Sequence, residues 1–169
     1  MMEQVVLLDN QYEEIGVKDK LQAHVDGNLH RAISVFIFNS KGEMLIQKRN
    51  KNKYHCGSLW TNTCCSHPRQ GESFFHAANR RVFEEMGVKA ELRFVFDFYY
   101  KKSFDNGLTE NEYDHVFIGN YDGRVNADFN EAEDWKWVDT DWLINDLFEN
   151  PENYTYWFKK VCRKVVESV

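Results

Sequence analysis

The sequence predicts a layered α/β fold, in which helices pack against a mixed β-sheet. One observation is a pair of strands: residues 31–38, RAISVFIF, are apolar and β-prone, and the turn residues 39–42 lead into a returning strand at 43–49. The other is a helix, because residues 74–86 repeat apolar side chains at helical spacing. The 169 residues contain no internal repeat or low-complexity linker, so we expect one domain that spans residues 1–169.

The remaining elements are predicted from turn residues and from local composition. Further strands are expected at residues 3–8, in a short return ending near 16–17, and at 60–66, 88–100, 110–121 and 135–138. Loops are expected between His24 and His30, at residues 50–58 and at residues 128–134. A helix capped by Thr140 should end near residue 149, and a last helix should begin at Pro151. The last helix has an apolar stripe of Tyr154, Trp157, Phe158, Val161, Cys162 and Val165.

The helix at residues 74–86 has clear signals at both ends. Ser73 is a suitable N-cap, and Gly87 can adopt the left-handed conformation that commonly follows a helix. We expect a buried stripe formed by Phe75, Ala78, Val82 and Met86. The charged side chains should lie largely on the other side: Arg80, Arg81, Glu84 and Glu85. Their spacing of four residues means that these charges could also simply stabilise the helix.

Composition and charge exclude several classes of function. The net charge of −6 argues against a nucleic-acid-binding surface. The four cysteines include no CxxC pair, which excludes a zinc ribbon, and they show no disulfide framework. The N-terminus lacks the basic segment of a signal peptide, and no apolar run approaches about 18 residues, so we expect a soluble cytoplasmic protein without a membrane span.

Several residues of metal-binding type are spread along the chain. Glu110 and Glu112 are two residues apart on a predicted strand, which places both carboxylates on one face. With His24, His30 and His67 they form a nitrogen and oxygen ligand set for Mn²⁺, Fe²⁺, Zn²⁺ or Mg²⁺. Taken separately, the glutamates are also typical of a solvated edge strand, and each histidine is typical of a surface or a core.

Two adjacent cysteines, Cys64 and Cys65, come just before His67. A free cysteine is usually a small buried apolar residue. A thiol whose pKa is tuned towards neutrality can instead donate or accept a proton. The residue types alone leave either cysteine open as the functional one.

The segment around the central helix resembles the Nudix box. Glu72 is followed after seven residues by Arg80, and the helix ends with the pair Glu84–Glu85 before a glycine. Two positions depart from the box: Ser66 stands where its first glycine is expected, and Arg81 replaces a glutamate. The resemblance implies a Nudix-like α/β/α sandwich with a mixed β-sheet, and the change at Arg81 argues against ordinary Nudix hydrolysis.

Two shorter motifs resemble a narrower group. Residues 61–68, TNTCCSHP, and residues 110–112, ENE, are similar to motifs of the type I isopentenyl-diphosphate isomerases, which share the Nudix fold. The resemblance covers roughly residues 3–165. It implies interconversion of isopentenyl diphosphate and dimethylallyl diphosphate through a tertiary carbocation, with a small isoprenoid diphosphate as the partner and no expectation about the oligomeric state.

The resemblance also implies metal-binding residues. One divalent metal (Mn²⁺, Mg²⁺ or Zn²⁺) would be held by His24, His30, His67, Glu110 and Glu112. A Mg²⁺ ion bound with the substrate diphosphate would contact Glu85, because Mg²⁺ takes few protein carboxylates. Cys65 is expected among the metal-contacting residues as well.

The same resemblance implies the substrate contacts and the catalytic groups. The diphosphate would bind Lys20, Arg49, Lys53 and Arg81. Glu112 is the expected proton donor in the forward direction, with Cys65 as the partner base. Trp157 would stabilise the carbocation and Tyr100 would line the pocket.

Two other functions remain open from the sequence. A Nudix diphosphohydrolase of a nucleotide or another organic diphosphate would keep the Glu84–Glu85 metal cluster and need an activated water molecule. A degenerate Nudix domain that only binds a phosphorylated ligand or a protein would need neither Cys65 nor Glu112.

Overall fold

Nine strands and four α-helices form the part of the chain, residues 2–169, that the computed structural model describes. The strands are β1 (Gln4–Leu8), β2 (Glu14–Asp19), β3 (His30–Phe38), β4 (Met44–Arg49), β5 (Trp60–Thr61), β6 (Cys64–Ser66), β7 (Leu92–Ser103), β8 (Thr109–Asn120) and β9 (Ala132–Val138). The helices are α1 (Lys20–Asp26), α2 (Phe74–Met86), α3 (Thr140–Glu149) and α4 (Tyr156–Glu167), with a 3₁₀ turn at Pro151–Asn153.

Strand β3 is the centre of the sheet. Along one edge it pairs in parallel with β8, beginning with His30 opposite Glu112. Along the other edge it meets three strands in turn: β1 at His30, β6 at Ile33–Val35 and β4 at Ile37. Strand β7 pairs with the far edge of β8, β2 pairs with β1, and β9 and β5 pair with β4. Residues of β6 and β8 therefore approach each other across the first half of β3.

The alternation of side chains along β3 separates two apolar cores. Phe36 and Phe38 belong to a core that also contains Trp157 and Phe158 of α4. Ile33, Val35 and Ile37 of β3 belong to a second core with Val82 of α2. Helices thus cover both faces of a sheet with parallel and antiparallel pairs, which confirms the predicted α/β/α sandwich with a mixed β-sheet.

Helix α2 has the predicted bounds and caps. The Ser73 hydroxyl accepts a hydrogen bond from the backbone N–H of His76 (3.1 Å), and Gly87 has the left-handed φ of 67°. The predicted faces are partly wrong, because Phe75 is 47% exposed while Glu85 is buried. Phe74 stacks on a neighbouring ring at 3.5 Å, which turns Phe75 outward.

The predicted loop between His24 and His30 is wrong at its start, because helix α1 contains His24 and continues to Asp26. The Asp19 carboxylate caps this helix by accepting a hydrogen bond from the Gln22 backbone, and Gly27 ends it with a φ of 67°. The helix is short and only Ala23 and His24 are buried in it, so its apolar spacing carries little helical signal.

Three bounds near the C-terminus also differ from the prediction. Strand β9 begins at Ala132, within the predicted acidic loop, because its backbone pairs with β4. Asp139 caps α3 in place of Thr140. The last helix begins only at Tyr156, so Tyr154 precedes it, although its side chain is buried in the same core as Trp157. Within residues 2–169, no helix combines the length and the apolar character that crossing a bilayer requires.

Candidate active site

The predicted metal-binding residues come together on the α4 side of the sheet, where β3 begins. His30 opens β3 and lies directly opposite Glu112 of β8. Glu110 shares the face of Glu112 because the two are separated by one residue on the strand. Helix α1 supplies His24, and the loop after β6 supplies His67. Three separate parts of the chain, residues 24–30, the loop after β6 and strand β8, thus build one buried cluster.

Two of these histidines point acceptor nitrogens at carboxylates. His24 and His30 each donate a hydrogen bond from Nδ1 to a backbone carbonyl, at 2.6 Å and 2.8 Å. In the neutral ring, Nε2 is then an acceptor. Yet Nε2 of His24 lies 3.2 Å from Glu110 Oε2, and Nε2 of His30 lies 3.1 Å from Glu112 Oε1. Two such acceptors need a proton or a cation between them.

The spacing of the cluster fits a divalent ion. His67 Nε2 adds a third nitrogen, 3.0 Å from Glu112 Oε1. Two ligand atoms bound at about 2.1 Å and at right angles lie about 3 Å apart. Within the described chain, the buried atoms His24 Nε2 and Glu110 Oε2 have no hydrogen-bond partner. The ligand atoms of His24, His30, His67 and Glu112 all lie within 4.8 Å of one another.

The protonation states of His67 and Glu110 also favour metal binding. Burial lowers the pKa of His67 to about 4, so its ring is neutral near pH 7. Burial would raise the pKa of Glu110, but its contacts with Glu112, His24 and His55 hold that pKa well below the usual range. Neutral imidazole and ionised carboxylate are the forms that bind metal.

Cys65 lies across β3 from the carboxylates, because β6 pairs with the opposite edge of that strand and places Cys65 beside Ser34. Its Sγ accepts a hydrogen bond from Trp157 Nε1 at 2.9 Å and donates one to Asn62 Oδ1 at 2.8 Å. Burial raises the pKa of this thiol to about 12, so the sulfur carries its proton. Neither His–carboxylate group found in residues 2–169 includes Cys65.

The fold separates the two adjacent cysteines. Cys64 is fully buried in the core under α2, on the opposite face of the sheet. Cys65 lines a cavity together with Glu112, Tyr100 and Trp157. Neighbouring residues on a strand point to opposite faces, so only one of the two thiols can reach this cavity.

The aromatic side chains form one wall of the cavity. The Tyr100 hydroxyl donates a hydrogen bond to Glu112 Oε2 at 2.7 Å. The ring of Tyr100 lies 6.4 Å from the ring of Trp157, which is buried. The two rings therefore connect the carboxylate side of the cavity to the thiol side.

The four predicted diphosphate-binding residues also line this cavity: Lys20, Arg49, Lys53 and Arg81. Three of them already contact carboxylates. Lys20 pairs with Glu3 at 3.1 Å, Lys53 pairs with Glu131, and Arg81 lies 3.3 Å from the same Glu131. An anionic ligand would displace these carboxylates from the basic side chains.

Glu85 has an environment that its helical position does not predict. The carboxylate is buried and accepts hydrogen bonds from Arg81 Nη2 at 2.7 Å and from Gln47 Nε2 at 2.9 Å. Burial raises its pKa, while Arg81 opposes that rise. Glu85 thus presents a carboxylate to the cavity beside the basic residues.

Sequence reasoning missed a histidine and two acidic residues of the cavity, His55, Asp114 and Glu131. His55 lies 2.5 Å from Glu110 Oε1 through its Nε2 atom. Asp114 is buried, accepts a hydrogen bond from Ser34 at 2.8 Å, and has a pKa raised well above its usual value by burial. Glu131 contacts the basic residues. Only Asp114 had a usable signal, since it continues the two-residue period of the ENE motif.

Comparison with known proteins identifies similar chains. The NUDIX domain family matches residues 28–159. Isopentenyl-diphosphate Delta-isomerase 1 of Aromatoleum aromaticum is 51% identical over 166 residues, which cover 98% of this chain and 94% of that protein. Isopentenyl-diphosphate Delta-isomerase of Serratia proteamaculans is 44% identical over 163 residues, which cover 96% of this chain and 91% of that protein.

Solved structures of low identity share the fold. DR0079 from Deinococcus radiodurans superimposes with a TM-score of 0.80 at 17% identity, covering 96% of this chain and 98% of its own. The MutT protein from Methanosarcina mazei Go1 gives a TM-score of 0.68 at 18% identity, covering 80% of this chain and 91% of its own. At such identities the similarity concerns the fold alone.

Proposed function

We propose a mechanism at the level of residues from the premise that this chain belongs to the isopentenyl-diphosphate Delta-isomerases and carries a NUDIX domain. The chain is an enzyme that interconverts isopentenyl diphosphate and dimethylallyl diphosphate by moving a carbon–carbon double bond. The observation that carries the mechanism is the placement of Cys65 and Glu112, which line one cavity from opposite edges of β3.

The reaction requires two proton transfers at different carbons. In the forward direction a proton adds to the terminal CH₂, the alkene electron pair forms the new C–H bond, and a tertiary cation results. A proton then leaves C2, and the electrons of that C–H bond form the new double bond. Two separate acid–base groups suit these two proton transfers. A buried cavity suits the cation, because water would trap it.

Cys65 and Glu112 are these two groups in our proposal. From the resemblance, Glu112 is the forward donor and Cys65 is the base. In the ligand-free site the transferable proton lies on Cys65, which is a thiol. Glu112 is ionised, because His30 and His67 lower its pKa despite its burial. The forward reaction therefore uses the protonated carboxyl form of Glu112 and the thiolate form of Cys65.

The surrounding side chains bind the substrate and protect the cation. We propose that Lys20, Arg49, Lys53 and Arg81 bind the diphosphate, which their position on the cavity supports. The indole face of Trp157 would stabilise the cation by about 0.5–2 kcal/mol. Tyr100 holds Glu112 through its hydroxyl and excludes water from that end.

Metal ions complete the proposal. His24, His30, His67, Glu110 and Glu112 would hold one divalent ion, and Glu85 would hold Mg²⁺ together with the diphosphate. When bound, these ions supply positive charge that offsets the buried carboxylates, polarises Glu112 and neutralises the diphosphate. The proposal gives Cys65 no metal ion to bind, since its sulfur is already hydrogen-bonded to Trp157 and Asn62.

The hydrolase alternative is less well supported. Eight relatives with 41–51% identity are named as isomerases, whereas two structures named as hydrolases are less than 20% identical. Glu84, which a hydrolase would use for metal binding, is engaged by Arg81 at 2.5 Å on the outside of α2. Isomerisation therefore accounts for the side chains better than hydrolysis does.

Proton NMR in D₂O with isopentenyl diphosphate and Mg²⁺ tests the mechanism. The wild type should introduce deuterium at the methyl and C2 positions with the diphosphate intact. Cys65→Ala and Glu112→Gln should each abolish this exchange while the circular dichroism spectrum stays unchanged. Cys162→Ala is the matched control, because Cys162 lies in the α4 core. Retained exchange in either site variant would refute the role of that residue, and release of phosphate without exchange would support a hydrolase.

A further inference from the structure

His55 is a histidine that the proposed mechanism does not use. It lies in the loop between β4 and β5, and its side chain is only 4% exposed. We propose that His55 is a positioning residue that holds Glu110 with one carboxylate oxygen turned toward the metal cluster. This inference rests on the proposed metal site and adds a residue to its support.

The two oxygens of Glu110 have different partners. Oε1 lies 2.5 Å from His55 Nε2, and Oε2 lies 3.2 Å from His24 Nε2. The first distance is shorter than the roughly 2.7–2.9 Å of an ordinary N–H···O⁻ bond, so the ring nitrogen and the carboxylate oxygen are in direct polar contact. The second is the spacing expected for two ligands of one ion. Glu110 therefore uses one oxygen to bind His55 and presents the other to the cluster.

The distances also argue against His55 as a direct ligand of the same ion. Two donors bound at about 2.1 Å and at right angles lie about 3 Å apart, and the contact between His55 and Glu110 is shorter than that. The group of His24, His55 and Glu110 and the group of His24, His30, His67 and Glu112 cannot each hold an ion through His24. The other ring nitrogen of His24 is occupied by a backbone carbonyl at 2.6 Å, so His24 has one nitrogen to offer and can serve one ion.

Aromatic packing fixes the His55 ring. It stacks on Phe104 with a centroid distance of 5.1 Å and an interplanar angle of 7°. It meets the rings of Tyr54 and Trp157 edge-on, at 4.8 Å and 5.9 Å. A ring held on three sides cannot rotate freely, so it imposes one orientation on Glu110.

The backbone of His55 reaches a second part of the site. Arg49 Nη2 donates a hydrogen bond to the His55 carbonyl at 3.3 Å, and Arg49 lies over the Trp157 ring at 5.4 Å. Outer residues of this kind typically change metal affinity 10–100-fold when they are removed. His55 thus joins the metal-binding carboxylate, the aromatic wall and a predicted diphosphate-binding arginine.

The test measures Mn²⁺ binding without substrate, by electron paramagnetic resonance of free Mn²⁺ during titration of metal-free protein. His55→Ala should weaken Mn²⁺ binding about 10–100-fold. His55→Gln should recover most of that loss, because its amide N–H can still donate to Glu110. His76→Ala is the matched control, since His76 is exposed on α2, and its affinity should equal that of the wild type. Circular dichroism of each metal-free variant verifies the fold.

The outcomes separate this inference from the proposal on which it rests. A wild type that binds no Mn²⁺ would overturn the metal site itself. Unchanged affinity in His55→Ala would overturn only the inference about His55. If His55→Gln binds as weakly as His55→Ala and the bound Mn²⁺ loses one nitrogen coupling, His55 is a ligand and the positioning role is wrong.

Discussion

The indole N–H of Trp157 donates a hydrogen bond to Cys65 Sγ at 2.9 Å, which joins the last helix to the strand that carries the thiol. The same thiol donates to Asn62, so both of its hydrogen-bonding capacities are used within the protein. The contact places the proposed cation-stabilising ring directly beside one of the two proposed proton-transfer groups. The indole thus has two functions: its N–H donates to Cys65, and its ring face stabilises the cation. A substitution that keeps an aromatic ring but removes the N–H separates the two.

Trp157→Phe should lower kcat about fivefold and leave KM within about twofold of the wild type. Phenylalanine keeps an aromatic face but loses the N–H donor, and a hydrogen bond of this kind contributes about 1 kcal/mol. Steady-state kinetics of isomerisation measures both constants. Trp142→Phe is the control, because Trp142 is 46% exposed on α3. A Trp157→Phe enzyme with wild-type kcat would show that the hydrogen bond to Cys65 is dispensable.

Arg81→Lys should raise KM for isopentenyl diphosphate about tenfold or more, with a smaller change in kcat. The guanidinium donates to Ser66, Glu84 and Glu85 at once, and lysine cannot reproduce this fork or bind a diphosphate in two places. Arg80→Lys on the same helix is the control, since Arg80 pairs with Glu72. Equal KM values in the two variants would argue against diphosphate binding by Arg81.

Removal of divalent metal should lower the thermal stability of the protein. A ligand that binds only the folded state at 100 times its Kd stabilises it by about 2.7 kcal/mol, equivalent to roughly 5–10 °C in Tm for a chain of this size. Differential scanning calorimetry of chelated and Mn²⁺-reloaded protein measures the difference. His67→Asn should abolish most of the metal-dependent shift, whereas His76→Asn should preserve it. A shift that survives His67→Asn would place the metal elsewhere.

Asp146→Asn should destabilise the protein near pH 7 but not at low pH. The Tyr154 hydroxyl donates to Asp146 Oδ2 at 2.5 Å and lowers the pKa of this carboxyl. A lowered folded-state pKa means that the stabilisation is present above the unfolded value near 4 and is lost as the pH falls through the folded value. Urea unfolding of the wild type and of Asp146→Asn, at pH 7 and below pH 3, measures the difference in their free energies of unfolding. If the difference in the free energy of unfolding were the same at both pH values, ionisation of Asp146 would not contribute to stability.

Sequence patterns identified helix α2 with both caps because its signals are local. Ser73 and Gly87 act through hydrogen bonds and backbone conformation within one turn of the helix. Helix α1 was missed because it has seven residues and buries only two of them, so it lacks a periodic apolar face. The burial of Glu85 was missed because its partner Gln47 lies on a distant strand.

In the site, too, local patterns were predicted correctly and contacts between distant segments were not. The two-residue period of the ENE motif was enough to place Glu110 and Glu112 on one face. The motif could not show that this face meets His30 across a parallel pair, nor that His55 is folded against Glu110. A histidine in a polar loop has no periodic neighbours, so its contacts depend entirely on where the loop is packed.

By itself the sequence determined the residue types of the chemistry, the central helix, and the resemblance that implied the sandwich fold and the isomerase function. The tertiary structure decided which of the two adjacent thiols faces the cavity. It also decided which oxygen of Glu110 faces His24 and which side chains pack behind the cluster. The physical reason is that hydrogen-bonding capacity and periodicity are properties of short segments. The direction in which a side chain points at another depends on pairing between strands that are far apart in the chain.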